Sequence, residues 1–194
     1  MGLLLVSLAG WWASGMLVHI HGVPHPDPER RVPVAVAVPL LAAVLTSVGL
    51  SGADEELERA TALRWRTVRV LHVLGVAVAA ALVLTPIGAW EPDKYGSQVI
   101  ARNLLGCFGV VTASTMIIGA RLAWAPVFGF IATVFFAAPK PPTNGTAWWT
   151  WPIQPASSSV AWWTALTLFA LGTALYGFAG ARPASTRDEL RRSR

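Results

Sequence analysis

SGADEELERATALRWRTVR, residues 51–69, carries eight of the 25 charged side chains in this 194-residue chain. The stretches on either side of it, residues 33–50 and 70–90, are almost wholly apolar. Such a break in composition decides between two architectures. In a soluble domain the flanking runs would be buried core. In a membrane protein they would be spans, and the charged stretch a connection held in water. Composition favours the second. The chain is 54% hydrophobic and 13% charged, with a mean hydropathy of +0.53, whereas soluble domains carry about 25% charged residues. Apolar runs of seventeen residues or more recur along the chain, and a helix needs about 20 such residues to cross a bilayer. The reading is an all-α polytopic integral membrane protein, because only helices or closed barrels satisfy the backbone in lipid.

Working outward from the charged stretch, six spans are expected, at about residues 3–20, 33–50, 70–90, 101–120, 122–138 and 158–181. Together they form one transmembrane domain, residues 1–181, followed by a basic tail, residues 182–194. The first run lacks the basic start and small-residue cleavage site of a signal peptide, and it reads as a helix that stays. Pro39, Pro86 and Pro126 lie inside or near the ends of spans, where each removes a backbone donor. Arg121 alone separates the fourth and fifth runs, which fits a tight hairpin with Arg121 at the surface. With six spans both termini share a side. That side receives ten of the fifteen basic residues: Arg59, Arg64, Arg66, Arg69, Arg121, Arg182, Arg187, Arg191, Arg192 and Arg194. The excess of positive charge marks it as cytoplasmic. The net charge of +5 then needs no nucleic acid, since basic loops sit well beside anionic headgroups. The single cysteine, Cys107, permits no intrachain disulfide. Thirteen arginines against two lysines, with abundant alanine, suggest a high-GC bacterial genome, and the spans then place the chain in the bacterial cell membrane.

Within the charged stretch, acids come first (Asp54, Glu55, Glu56, Glu58) and arginines last (Arg59, Arg64, Arg66, Arg69). That order complements a helix dipole. Glu55 and Arg59 stand four apart in the favourable direction, and Leu57, Ala60 and Leu63 share a face. An amphipathic helix over residues 54–69, outside the membrane, is the result. Two roles fit it: a solvated connector, as most charge runs are, or a handle for a cytoplasmic partner. Links between bundled helices commonly take about 2–8 residues, and this one is far longer.

Several chemistries find no residues to carry them. Apart from His72, Arg102 and, at the outer end of the first run, His19, the spans hold no carboxylate, imidazole or basic group, which argues against a proton relay. A phosphate-binding loop needs glycines followed by Lys and Ser/Thr, and the two lysines lie in PDKYG and APKPP. The chain is therefore not read as an enzyme, and it has no nucleotide cofactor site of its own. His19, His21, His25, Asp27 and Glu29 gather in the first outer loop, and metal binding there stays open because imidazole and carboxylate are ordinary ligands. The spacing matches no strong motif. An intrachain bis-histidine haem site is not available, since His72 is the one histidine well inside a span. Asn144 begins an Asn-Gly-Thr triplet that has little meaning in a bacterial chain.

The fifth and sixth spans are joined by residues 139–157, rich in proline and carrying Trp148, Trp149 and Trp151. Tryptophan favours the headgroup level. The segment is either part of an aromatic belt or an outer hairpin folded back into the membrane surface, where irregular backbone needs protein cover.

Six spans, a charged cytoplasmic helix after the second and an outer hairpin before the last resemble the type-2 ABC transporter permeases. ELERATALRWRTVRVLH, ARNLLG, GARLAWAP and WWTWPIQP carry the resemblance in detail, and look like those of small actinobacterial permease-type membrane proteins. The resemblance implies that residues 54–69 are a coupling helix seated on a separate ATP-binding subunit, with Asp54, Glu55, Glu58, Arg59, Arg64 and Arg66 as docking residues. It implies two permease chains, homomeric or heteromeric, that pair around a path closed on the outside by the hairpins bearing Trp148, Trp149 and Trp151. ATP and Mg would be held by the partner subunit and none by this chain. The cargo would be hydrophobic or amphipathic (an antibiotic, a peptide or a lipid), facing apolar walls and hydroxyls such as Thr112, Ser114 and Thr115. The chain departs from the family in lacking the amphipathic helix that usually precedes the first span. The competing readings are a non-transporting membrane scaffold or regulatory subunit, and a membrane enzyme built on the outer histidines.

Overall fold

The computed structural model describes residues 32–50, 65–86, 96–138 and 148–180. Among these residues the chain is helical and has no strand. Five α-helices appear: α1 (Val32–Ser47), α2 (Trp65–Leu84), α3 (Ser97–Ile118), α4 (Trp124–Ala137) and α5 (Ser159–Ala179). 3-10 turns accompany them at Val48–Leu50 after α1 and at Trp148–Ile153 before α5. The helices fall on the second to sixth of the spans read from the sequence. The first, residues 3–20, lies outside the described residues.

Three helices, α2, α3 and α5, are long and apolar enough to cross a membrane. The other two are shorter. α4 has 14 residues, about 21 Å of helix at 1.5 Å per residue, against a hydrocarbon core of about 30 Å. Residues 120–123 form the turn from α3 and take up the start of the run expected at 122–138. Gly119 makes that turn at φ 84°, a conformation open to glycine, and Arg121 stands exposed in it. α2 begins five residues ahead of the expected span, at Trp65 rather than Val70. No breaker separates Arg64 from Val70, so helix propagates through two arginines whose stems can lie along an apolar face. Pro86 follows at its far end. α3 likewise starts at Ser97 rather than 101, which places Arg102 in its second turn.

α3 is the axis. Each of the other four helices touches it, and α1, α2, α5, the Trp148–Ile153 turn and α4 contact one another in a ring around it. In its most apolar 18-residue stretch 67% of residues are buried, against 22% in that of α2. The closest crossing joins α3 and α5. A Cβ on Gly109 would run into the Leu168 carbonyl, and one on Gly172 into the Gly109 carbonyl and the Thr112 hydroxyl. Backbones that close gain dispersion contacts along both helices, the main attraction left between helices in lipid.

Contacts fix the directions. Asn103 bonds to Ala35 and Pro152 at one end of the bundle. Tyr176 bonds to Leu50, and Val70 meets Gly177, at the other. Successive described helices therefore run in alternating directions, with the stems of the charged segment at one end and the tryptophan turn at the opposite one.

Candidate functional site

At the charged-segment end, both stems of residues 51–64 arrive on the last two turns of α5. The Tyr176 hydroxyl donates to the Leu50 carbonyl at 3.0 Å, capping the chain where the first stem leaves. The second stem enters through α2. Val70 occupies the space a Cβ on Gly177 would need, and the Arg69 guanidinium lies over Gly180. Gly180 has φ 74° and ends α5, where unpaired carbonyls gather and a cation is favoured. Arg66 is exposed and sits 5.1 Å from the centroid of the Phe178 ring, within cation–π range. Of the docking residues read from the sequence, Arg66 is thus placed in the first turn of α2. Asp54, Glu55, Glu58, Arg59 and Arg64 lie outside the described residues.

The opposite end is built around Arg102 and Asn103, both fully buried. Arg102 Nη1 donates to the Pro155 carbonyl at 2.9 Å and Nη2 to the Gln154 carbonyl at 2.7 Å. Its Nε reaches Asn103 Oδ1 at 3.3 Å. Asn103 Nδ2 uses both of its hydrogens, on the Pro152 carbonyl at 2.8 Å and the Ala35 carbonyl at 3.0 Å. One amide therefore joins α1, α3 and the tryptophan turn. These bonds also meet the carbonyls that a short 3-10 turn leaves open at its end. Gln154 donates to Thr150 Oγ1 and accepts from Ser158 Oγ, and Ser158 accepts from the Ala161 amide as the N-cap of α5. These three bonds run from residue 150 to the first turn of α5.

The three tryptophans of this turn do different things. Trp151 is 1% exposed, and its six-membered ring fills the space that a Cβ on Gly106 would need. It stacks on Phe130 of α4, with centroids 6.2 Å apart and planes 18° from parallel. Trp149 is half-buried and Trp148 is 68% exposed. Trp151 is the anchor and Trp148 faces outward. Residues 139–147, the rest of the expected outer hairpin, lie outside the described residues.

The hydroxyls expected to face cargo are turned inward. Thr112, Ser114 and Thr115 are buried and donate to carbonyls of their own helix, on Phe108, Val110 and Thr112 respectively. Residues that satisfy a backbone one turn back have no hydrogen left to offer a ligand. Among the described residues no three His, Cys, Asp or Glu side chains gather as metal ligands, and Cys107 is buried in α3. The histidines and carboxylates of the first outer loop lie outside the described residues.

Asn103, Gln154, Tyr176 and Gly177 are site residues that reading the sequence missed. Asn103 and Gln154 had a signal: each interrupts an apolar or proline-rich run with a side-chain amide, which must find partners once buried. Comparisons of this chain with protein-family models, with curated proteins and with solved structures find no match.

Proposed function

We propose that this chain is the membrane-spanning permease subunit of an ABC-type exporter in the bacterial cell membrane. A separate cytoplasmic ATPase would drive it, and a second permease chain would complete the path. What supports the reading is the anchoring of the charged segment: its two stems converge on the end of one long helix, α5, at the side remote from the tryptophan turn. A segment held at both stems is a handle, and a push on it reaches the helices directly. α2 would move with α5 because Val70 is seated on Gly177, and α3 would follow because Gly109 and Gly172 allow no slack. ATP and Mg would bind the partner subunit. The largely apolar faces of α2 and α5 suit a hydrophobic or amphipathic cargo, or the second chain.

The test is purification of the full chain with whatever ATPase accompanies it. Exchanging Glu55→Arg, Glu58→Arg, Arg59→Glu and Arg64→Glu together is expected to remove the bound ATPase and its stimulated hydrolysis, while the helical content of the purified membrane protein is kept. Full stimulation after that exchange would reject the docking role and leave the alternative of a non-transporting scaffold or regulator.

A further inference from the structure

We infer that the furrow between α2 and α5 holds one anionic phospholipid, its phosphate on Arg66 and an acyl chain along the exposed rows that lead away from it. The inference rests on α2 and α5 crossing a membrane and not on the permease reading.

The two helices run antiparallel and meet where Val70 is seated on Gly177 and Arg66 stands 5.1 Å from the centroid of the Phe178 ring. Arg66, Val70, Leu74 and Val78 follow at four-residue steps and so share a face of α2. Ala170, Ala174 and Phe178 do the same on α5. The contact of Arg66 with Phe178 puts the two rows on one side of the seam. Leu74, Val78, Ala170, Ala174 and Phe178 are all exposed. Beyond Phe178 the α5 row is built of methyl groups, which leaves a channel rather than a ridge. From residue 170 to residue 178 it runs about 12 Å at 1.5 Å per residue, close to one leaflet's share of a hydrocarbon core about 30 Å thick.

Apolar rows alone would accept any acyl chain; the charge at their head selects among lipids. Arg66 is exposed. A ring face attracts a cation but offers no oxygen, so the guanidinium donors remain open to acceptors from outside the bundle. Its planar fork matches a phosphate. No described residue is Asp or Glu, so no carboxylate among them competes with an anion there. A zwitterionic headgroup brings its own cation beside the phosphate, whereas an anionic one does not, and the anionic lipid is favoured. The other cations of this end stand elsewhere. Arg69 is laid over Gly180, His72 falls on another face of α2, and Arg121 lies in the turn after α3. A phosphate on Arg66 with its chain against α5 would tie the second stem of the charged segment to α5.

The experiment uses the full chain in nanodiscs of phosphatidylcholine. These carry a trace of phosphatidylglycerol or of phosphatidylcholine, each with the same diazirine-bearing acyl chain. After irradiation, adducts are mapped by peptide mass spectrometry. Residues 74–78 and 170–178 are expected to take about fivefold more of the phosphatidylglycerol probe than of the phosphatidylcholine probe, the scale of one arginine beside an anionic headgroup. Unlabelled phosphatidylglycerol should compete, and inorganic phosphate should not. Arg66→Gln should bring the two probes to equal yield, while Arg121→Gln should leave the preference intact. Equal yields in the unaltered chain would mean ordinary lipid contact and overturn the inference. So would a preference that survives Arg66→Gln, or competition by inorganic phosphate alone. Failure of both probes to reach the furrow would give it to a second copy of the chain and reject the lipid. The comparison of probes in the unaltered chain needs no substitution, so a variant that fails to fold leaves the idea open to refutation. None of these outcomes depends on an ATPase, so the lipid site and the permease reading fail separately.

Discussion

The two ends of the bundle are fastened by different physics. At the tryptophan end a buried guanidinium and a buried amide hold three elements through backbone carbonyls, with a tryptophan ring lying over a glycine. At the charged-segment end Val70 packs against Gly177, the Arg69 guanidinium lies over Gly180, Arg66 sits beside the Phe178 ring, and Tyr176 donates to the Leu50 carbonyl. The first kind of fastening fails abruptly, because removing one partner strands the others in a dry site. The second weakens by degrees.

The comparison breaks most visibly at what the ends share, the α3–α5 crossing. Gly172→Leu would drive a side chain into the Gly109 carbonyl and the Thr112 hydroxyl. Neither can retreat, since both belong to the central helix, and the cost should exceed the roughly 1–3 kcal/mol of ordinary overpacking. The expected outcome is loss of monodisperse protein in size-exclusion chromatography, for this change and not for Gly129→Leu, whose Cβ would meet open space.

Next comes the tryptophan end. Arg102→Leu leaves the Gln154 and Pro155 carbonyls without the guanidinium and should cost about 2–4 kcal/mol, seen as a clear fall in thermal midpoint in detergent. Asn103→Leu, which strands Ala35 and Pro152 instead, should cost about 1–3 kcal/mol. If both changes prove neutral, the buried network is not what fastens this end.

Most of the helices were legible because lipid-compatible helices announce themselves by length and apolarity, and five of the six runs read in this way coincide with α1 to α5. Their ends were less so. α2 starts at Trp65 because nothing between Arg64 and Val70 stops a helix, and a change of composition is not a helix terminator. α4 is short because the turn at Gly119 consumes residues that hydropathy counts as span. The buried pair was half visible: Arg102 was conspicuous as a charge at the rim of a run, but its acceptors in the tryptophan turn are main-chain carbonyls 52 and 53 residues away, and a carbonyl carries no sequence signature. Glycines at crossings are hidden for a related reason. Gly109, Gly172 and Gly177 are filled by neighbours, whereas Gly49, Gly75 and Gly129 meet nothing, and only the fold separates the two sets.

At the charged-segment end the effects should be smaller and graded. Tyr176→Phe removes one hydroxyl and leaves the Leu50 carbonyl at the edge of the bundle, for about 1 kcal/mol. Arg66→Gln removes the contact with the Phe178 ring, worth about 0.5–1 kcal/mol at an exposed site. A double-mutant cycle with Phe178→Leu separates that contact from the general loss of a positive charge, because the coupling energy isolates the pair. If the coupling is near zero while Arg66→Gln alone is costly, Arg66 acts through headgroups or a partner rather than through α5, and the second stem is then held by Val70 and Arg69 without it. If the coupling matches the single loss, Arg66 belongs to the stem's own fastening. A partner gripping residues 51–64 would in that case pull on a side chain already committed to α5, so its binding should weaken the Arg66–Phe178 coupling. Repeating the cycle with and without any ATPase that co-purifies reads that change directly.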